Sequence, residues 1–256
     1  ALNLRQGDEV ICCSHTMLAT ASAIKVAGGI PIPVEIGYDN LIDPDAIENA
    51  ITSRTVGIMP TQLNGRTCDM ERIMQIANKY KLYVVEDAAQ ALGSKFKDKN
   101  AGTFGHASAI SFFPAKVLGC FGDAGAILCQ DDTIFDRAYQ LHDHGRDKDG
   151  NVKSWGRNSR LDNLQAAILN FNLRSYENVI HRRREIATIY SSKLSILEEL
   201  KLPEPPRNNS DHYDVFQNYE IVAKKRDELQ KHLRECGIGT LVQWGGKAIH
   251  QWEHLG

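Results

Sequence analysis

Short, nearly unbroken apolar runs alternate along the first 130 residues with longer stretches whose apolar positions recur every three or four residues. The run "EVICC" (9–13) predicts a buried strand, and "TMLATASAIKVAG" (16–28) predicts a helix closed by glycines. "IPIPVEI" (30–36) is strand-like. "DPDAIENAI" (43–51) predicts a helix opening on Asp43, with Pro44 in the first turn. A strand "TVGIMP" (55–60), an amphipathic helix "DMERIMQIANKY" (69–80) and a strand "LYVVE" (82–86) continue the alternation. "ASAISF" (107–112) and "AGAILC" (124–129) predict two more strands. Alternation of this kind with Val/Ile-rich runs predicts an α/β fold, a three-layer α/β/α domain around a mainly parallel sheet.

Beyond residue 131 the pattern becomes mostly helical up to about 200, through "DNLQAAILNFNL" and "RRREIATIYSSKL". The Pro- and Asn-rich stretch "LPEPPRNNSD" (202–211) predicts a linker. A strand at 216–223, a helix at 226–236 and a strand at 239–244 are expected after it. The resulting division is a large domain at 1–178, a connecting helix and linker at 179–211, and the start of a smaller α+β domain at 212–256. The first residues read as a loop feeding a strand already inside a sheet, and the last follow directly on a strand. Both ends are therefore expected to be cut from a longer chain.

Composition narrows the function classes. With 256 residues, 42% of them hydrophobic, and a net charge of −2, nothing favours a nucleic-acid groove or an anionic membrane surface. The basic run "HRRRE" (181–185) reads as a solvated helix face. No segment is apolar enough over sufficient length to span a bilayer, and no signal peptide opens the chain. The six cysteines form no CxxC pair, and Cys12 and Cys13 would point to opposite faces of one strand. This is reduced-compartment usage, so a cytoplasmic location is expected. The nine histidines show no metal-ligand spacing.

Two residues carry the candidate chemistry. Asp87 ends the strand "LYVVE", where open α/β sheets gather their ligands. It could cap a following helix through "AAQALG", or it could pair with a protonated cofactor ring nitrogen. Lys116 lies among aromatic and small residues in "SFFPAKVLGCFGDAGA" (111–126), with no carboxylate nearby in sequence. Its stem could lie along apolar surface with the head in water. Alternatively, partial desolvation lowers its pKa and readies the amine for a Schiff base with an aldehyde. Pyridoxal 5'-phosphate would supply that aldehyde, and it also needs a ring-nitrogen acid and a phosphate cup. Asp87 answers the first need and the Ser111 hydroxyl part of the second. Gly119, Gly122 and Gly125 would allow tight backbone paths around such a group, or simply mark a loop. Trp244 and Trp252 read as small-domain core or as part of a sugar- or base-binding surface.

Residues 84–130, "VVEDAAQALGSKFKDKNAGTFGHASAISFFPAKVLGCFGDAGAILCQ", resemble the core of the DegT/DnrJ/EryC1/StrS family of pyridoxal-phosphate-dependent nucleotide-sugar aminotransferases. The "EDAAQ", "SF…K" and glycine-rich turn segments occur in order and at matching spacing. The likeness extends through "GRNSRLDNLQAAIL" (156–169) to "GKAIHQW" (246–252), and upstream to "GDEVI", "HTMLATASAI" and "TVGIMPTQLNG". The resemblance implies the aspartate-aminotransferase fold and a transaminase. It would move an amino group from an amino acid, glutamate by expectation, to a keto carbon of a nucleotide-linked sugar in a ping-pong aldimine/ketimine exchange. By the same resemblance Lys116 is the aldimine lysine and proton shuttle, Asp87 holds the pyridinium proton, Gln90 contacts the ring hydroxyl and Ser111 the phosphate. Asn158 would reach the neighbouring subunit's cofactor, with Arg160 and His250 at the substrate, so a homodimer is implied.

The chain departs from the family pattern at "SHTMLAT", where Met17 stands in the position usually held by an aromatic residue against the cofactor. A thioether also packs on a ring. The family's Gly–Thr phosphate-binding turn lies upstream of "GDEVI". An inactive relative acting as a sensor or regulatory protein is the alternative. The presence of Lys116 argues against the family's dehydrating branch, in which histidine replaces it. A dinucleotide-binding oxidoreductase would need a GxGxxG turn, which the glycine pair in "AGGI" (27–30) does not provide.

Overall fold

The computed structural model describes residues 1–255. β1 (Glu9–Cys13) is buried at all five positions. Its side chains alternate between two cores, as a period of two requires. Ile11 and Cys13 enter one apolar cluster, and Val10 and Cys12 enter another on the opposite face. The two adjacent cysteines are thus separated by the sheet. Burial pushes both thiols up to about 12, which leaves them unreactive.

α1 (Leu18–Val26) covers one face with Ala21 and Ile24, then leads into β2 (Ile30–Val34). α2 (Pro44–Asn49) starts where Asp43 accepts a bond from the Asp45 N–H, with Pro44 in its first turn. β3 (Thr55–Met59) is followed by α3 (Met70–Tyr80), capped by Asp69 and ended by Lys81 in the left-handed region. Met70, Ile73, Ile76 and Ala77 of α3 recur at helical spacing and face the cluster that holds Ile11, Ile58 and Val84. The three larger side chains are each worth roughly 1.5–3 kcal/mol of burial.

β4 (Tyr83–Asp87) is followed by a short hairpin, β5 (Lys95–Phe96) and β6 (Lys99–Asn100), then by β7 (Ala107–Ser111) and β8 (Gly125–Cys129). The main sheet has the order β2-β1-β3-β4-β7-β8. Every pair is parallel except β7–β8, so the α/β class with a mainly parallel sheet holds. The hairpin escaped the sequence pattern because it is so short. Its turn places Lys97 and Asp98 at positive φ (47° and 61°), the geometry of a tight two-residue connection.

α4 (Asp132–His142), α5 (Asn163–Leu173) and α6 (Tyr176–Leu194) make up the helical part. The stretch between α4 and α5 is a loop rather than helix. It is tied by bridges between Asp143 and Asn158 and between Arg146 and Val152. Asp147 accepts the Asp149 and Asn151 N–H groups there, local turn chemistry that competes with helix. β9 (Leu200–Lys201), β10 (His212–Tyr213), β11 (Val222–Ala223) and α7 (Arg226–Glu235) complete the elements. β10 pairs with β5, and β11 with β9.

Two expected strands are corrected. Of 216–223 only Val222–Ala223 is strand, because Phe216 sits at φ 51° and the chain bends there. The stretch 239–244 forms none; Gln243–Gly246 is a tight turn with Trp244 at φ 48°. Its apolar content is not a sheet face: Leu241 is exposed, while Trp244 packs against the core and edge-on to His15 at 5.1 Å. Trp252 is partly exposed, with Lys247 Nζ 5.1 Å from its ring centre. Among the described residues no helix is long and apolar enough to cross a membrane.

Candidate active site

The carboxyl ends of β1, β3, β4 and β7 lie side by side, and the segments leaving them carry most of the chemistry-bearing residues. Asp87 is the last residue of β4. Its Oδ2 accepts the Thr20 hydroxyl at 2.6 Å and its Oδ1 accepts the Ala89 N–H at 3.2 Å. The latter bond is a local turn and no helix follows, so Asp87 is not a helix cap. The Thr20 hydroxyl meets that of Thr16 at 2.8 Å, and Thr16 meets Thr61 at 2.9 Å. These three buried threonines aim one acid from beneath and brace it against α1 and the loop after β3. Two bonds leave part of the carboxylate's acceptor capacity free.

Lys116 lies on the loop joining β7 to β8. The loop is closed by Cys120 N–H to Phe112 C=O (2.9 Å) and Phe112 N–H to Ala124 C=O (2.8 Å), with a turn from Lys116 N–H to Phe113 C=O (2.8 Å). Gly119 makes this path possible: a Cβ there would meet the Pro114 carbonyl oxygen at 2.7 Å and that of Phe113 at 2.9 Å. The crowding is with the loop itself. Leu118 and Cys120 point down into a cluster with Leu169, Tyr176, Ile180 and Val215, which pins the loop from below.

The Lys116 side chain is half-buried, and among the described residues Nζ has no ion-pair or hydrogen-bond partner. Burial lowers its pKa from the ordinary value near 10.5, and the charge of Asp87 opposes this only in part. Because burial disfavours the ammonium, the neutral amine persists to lower pH than in an exposed lysine. The pH midpoint of modification by an amine-selective reagent, followed by peptide mass spectrometry, should therefore fall below that of the exposed lysines. A midpoint equal to theirs would refute desolvation of this amine.

The remaining expected residues are spread more widely. Ser111 ends β7, paired with Gly125 of β8, and its Oγ lies 3.3 Å from the Phe113 N–H. Gln90 turns its Oε1 to the Asn64 N–H at 2.7 Å, a contact within the protein that was not expected of it. Met17 caps α1 with its Sδ 3.5 Å from the Ala19 N–H and is half exposed, next to the threonine that braces Asp87. Asn158 and Arg160 are exposed in the loop before α5. There Arg160 Nε donates to Asn158 Oδ1 (3.1 Å), and its guanidinium pairs with Asp143 (3.2 Å). His250 is exposed in a turn whose neighbour Ile249 packs beside β1 and donates to the Ser14 C=O at 3.1 Å.

Several contributors carried no signal in the sequence pattern. Glu220 joins His15 (3.0 Å), Asn64 and Asn40 (3.4 Å), tying the chain after β10 to the loops after β1, β3 and β2. Burial alone would raise its pKa, but bonds from His15, Asn64 and Asn40 outweigh it and hold the carboxyl below its usual range. Glu86, beside Asp87, is fully buried and accepts four donors. Gln217 also reaches the lysine loop. All these contacts bridge segments from 16 to 205 residues apart in sequence, beyond the reach of periodicity.

An aspartate thus ends β4, and a lysine with no Nζ partner among the described residues sits on the loop after β7, the neighbouring strand of the sheet. The chain belongs to the DegT/DnrJ/EryC1/StrS aminotransferase family, whose model matches residues 1–254. It is 37% identical over 244 residues to the dTDP-3-amino-3,4,6-trideoxy-alpha-D-glucose transaminase of Streptomyces venezuelae, covering 95% of this chain and 64% of that one. It is 40% identical over 247 residues to a pleiotropic regulatory protein of Geobacillus stearothermophilus, covering 95% and 66%. The crystal structure of NtdA from Bacillus subtilis with bound cofactor PMP superposes with a TM-score of 0.82 at 35% identity, covering 92% of this chain and 54% of NtdA. The chain thus spans about two thirds of the length of the curated relatives it matches.

Proposed function

We propose that this chain acts as a pyridoxal-phosphate-dependent aminotransferase that moves an amino group from an amino acid, glutamate in this reading, to a keto carbon of a nucleotide-linked sugar. The observation that carries it is Lys116, half-buried with no partner among the described residues while under the charge of Asp87. A lysine kept only for stability would be paired or solvated. Bound here, the cofactor supplies an aldehyde for an amine and a protonated ring that withdraws electrons.

The residues fit that group. Asp87 offers its remaining acceptor capacity to a ring N–H while Thr20 holds the carboxylate still. Lys116 Nζ, its pKa lowered by burial, would give up and take back a proton more readily than an exposed lysine, as a general base must. Met17 offers a thioether to a ring face, and Ser111 Oγ a donor to a phosphate. Gln90 would have to share its amide between the Asn64 N–H and the ring hydroxyl. Arg160 and His250 would take the substrate.

A homodimer is part of the proposal. Trp155 (96% exposed) and Phe121 (82%) stand bare, with Leu164 and Phe171 on α5 also exposed, near the loop that carries Asn158. Such a patch favours a partner, and a second copy would bring Asn158 to the other subunit's phosphate. A cytoplasmic setting suits sugar-nucleotide substrates.

The test is a visible spectrum of the chain with pyridoxal phosphate, then borohydride, peptide mapping and a screen of nucleotide-linked keto sugars with glutamate. A yellow band that borohydride fixes on Lys116, together with an aminated sugar product, is expected. The second reading, a sensor, draws on Met17 and on the similarity to the pleiotropic regulatory protein. Cofactor fixed on Lys116 with no amination of any keto sugar would favour it.

A further inference from the structure

We propose that Gln217 is a positioning residue for Lys116: its single carboxamide clamps the peptide groups on both sides of the lysine. Gln217 Oε1 accepts the Val117 N–H at 2.8 Å, and Gln217 Nε2 donates to the Ala115 C=O at 2.8 Å. The lysine's Cα is thereby held between two bonds to a side chain 101 residues away in sequence. One amide satisfies one donor and one acceptor, so the pair also fixes which way the carboxamide faces.

The surroundings show that Gln217 is delivered to this place by construction. Val215, fully buried, sits in the same cluster as Leu118 and Cys120 beneath the lysine loop. Its N–H donates to the Gly65 C=O at 2.8 Å. Phe216 then takes a positive φ (51°), which bends the chain sharply. A Cβ on Gly65 would meet the Gln217 nitrogen at 2.7 Å and the Phe216 nitrogen at 2.8 Å, so only glycine admits the bend so close. From the other side Arg183 of α6 donates to the carbonyls of Phe216 (3.0 Å) and Gln217 (3.2 Å). Core, glycine and arginine thus aim one side chain at the lysine backbone, and Nζ has no partner among the described residues.

A group that forms and breaks a bond must hold its amine within about 0.5 Å of the productive position. Burial beneath the loop holds its underside, but Lys116 itself is only half-buried, and Gln217 supplies the lateral restraint. The same clamp links the lysine to the chain leading into β11 and α7, so displacement of that chain would be felt at the amine. That purpose rests on the aminotransferase function proposed above, whereas the clamp itself does not.

The test uses Gln217→Met, which keeps the length but makes neither bond, and Gln217→Glu, which keeps the acceptor for Val117 but loses the donor to Ala115 and adds a negative charge. Three quantities are read: the thermal midpoint, the pH profile of Lys116 labelling without cofactor, and the yield of pyridoxal phosphate fixed on Lys116 by borohydride. For Gln217→Met the equilibrium constant for cofactor capture at Lys116 should fall by on the order of tenfold, the scale of a lost net hydrogen bond with its ordering. Labelling of the other lysines should stay unchanged. For Gln217→Glu the labelling midpoint of Lys116 should rise, since a second acid joins Asp87 in favouring the ammonium.

Unchanged capture and an unchanged Lys116 profile in both variants would overturn the proposal, leaving Gln217 as surface packing. If Gln217→Met fails to fold, Gln217→Glu decides alone through the labelling midpoint. If the unsubstituted chain takes up no cofactor, the aminotransferase reading fails, while the cofactor-free labelling of the variants still judges the clamp.

Discussion

Lys116→Ala is expected to leave the chain folded, retain no pyridoxal phosphate after borohydride treatment, and slow amino transfer to a keto sugar by at least about 10³-fold. The structural side of this is unusual for a half-buried residue. Among the described residues Nζ has no partner, and the turn from the Lys116 N–H to the Phe113 C=O uses only backbone. Removing the amine therefore orphans nothing and relieves a desolvation cost. The thermal midpoint should hold or rise slightly. Lys116→Arg separates charge from chemistry: a guanidinium keeps the cation but cannot give up its proton near neutral pH. It should be as inactive as alanine, and less stable if the site cannot hydrate it. Amino transfer by Lys116→Ala within tenfold of the unsubstituted rate would mean that another amine does the work, and the proposed function would lose its central residue.

What the sequence disclosed follows from how far each signal reaches. Strands such as 9–13 and helices such as 43–51 announce themselves within a few residues, through continuous apolar runs, an N-cap aspartate or a first-turn proline. The separation of Cys12 from Cys13 followed from strand geometry alone. The stretch at 216–223 misled because alternation of polar Asn218 and Glu220 with apolar Tyr219 and Ile221 mimics a strand. Those polar side chains are instead spent on Asn64 and His15, and the backbone bends at Phe216. At the site, Asp87 and Lys116 were legible as types in a pattern. The side chains that hold them were not, because Thr20, Thr61 and Gln217 act from distant segments. A threonine in a helix and a glutamine after a linker are too common to signal anything until the fold brings them together.

The adjacent acids Glu86 and Asp87 show the same limit and lead to the second large effect, Glu86→Ala, which should cost several kcal/mol of stability. Neighbours on a strand face opposite ways. Asp87 goes to the open end of the sheet, whereas Glu86 is wholly buried on the other side. Its Oε2 accepts the Gln62 side-chain amide (2.8 Å) and the Gly102 N–H (2.7 Å). Its Oε1 accepts the N–H groups of Phe104 (2.7 Å) and Gly105 (2.8 Å). This one side chain thus terminates three backbone donors from the loop before β7, a loop that has no ladder of its own there. Alanine would leave four donors without this partner, two of them buried and two part-buried, each costing about 1–3 kcal/mol less whatever water regains. Against a total stability of about 5–15 kcal/mol, that threatens the fold. A loss of about 4 kcal/mol corresponds to a thermal midpoint lower by roughly 8–16 °C for a chain of this size. Glu86→Gln is the finer probe. One end of the amide still accepts two bonds, while the other presents an NH₂ group to two donors. About half the loss should remain, measured by denaturant unfolding alongside the alanine variant. If Glu86→Gln matched the unsubstituted chain, the four contacts would not be the anchor proposed here. If both variants lost stability in that order, the nearer-neutral behaviour expected of Lys116→Ala would mark which of the polar groups serves the fold and which the chemistry.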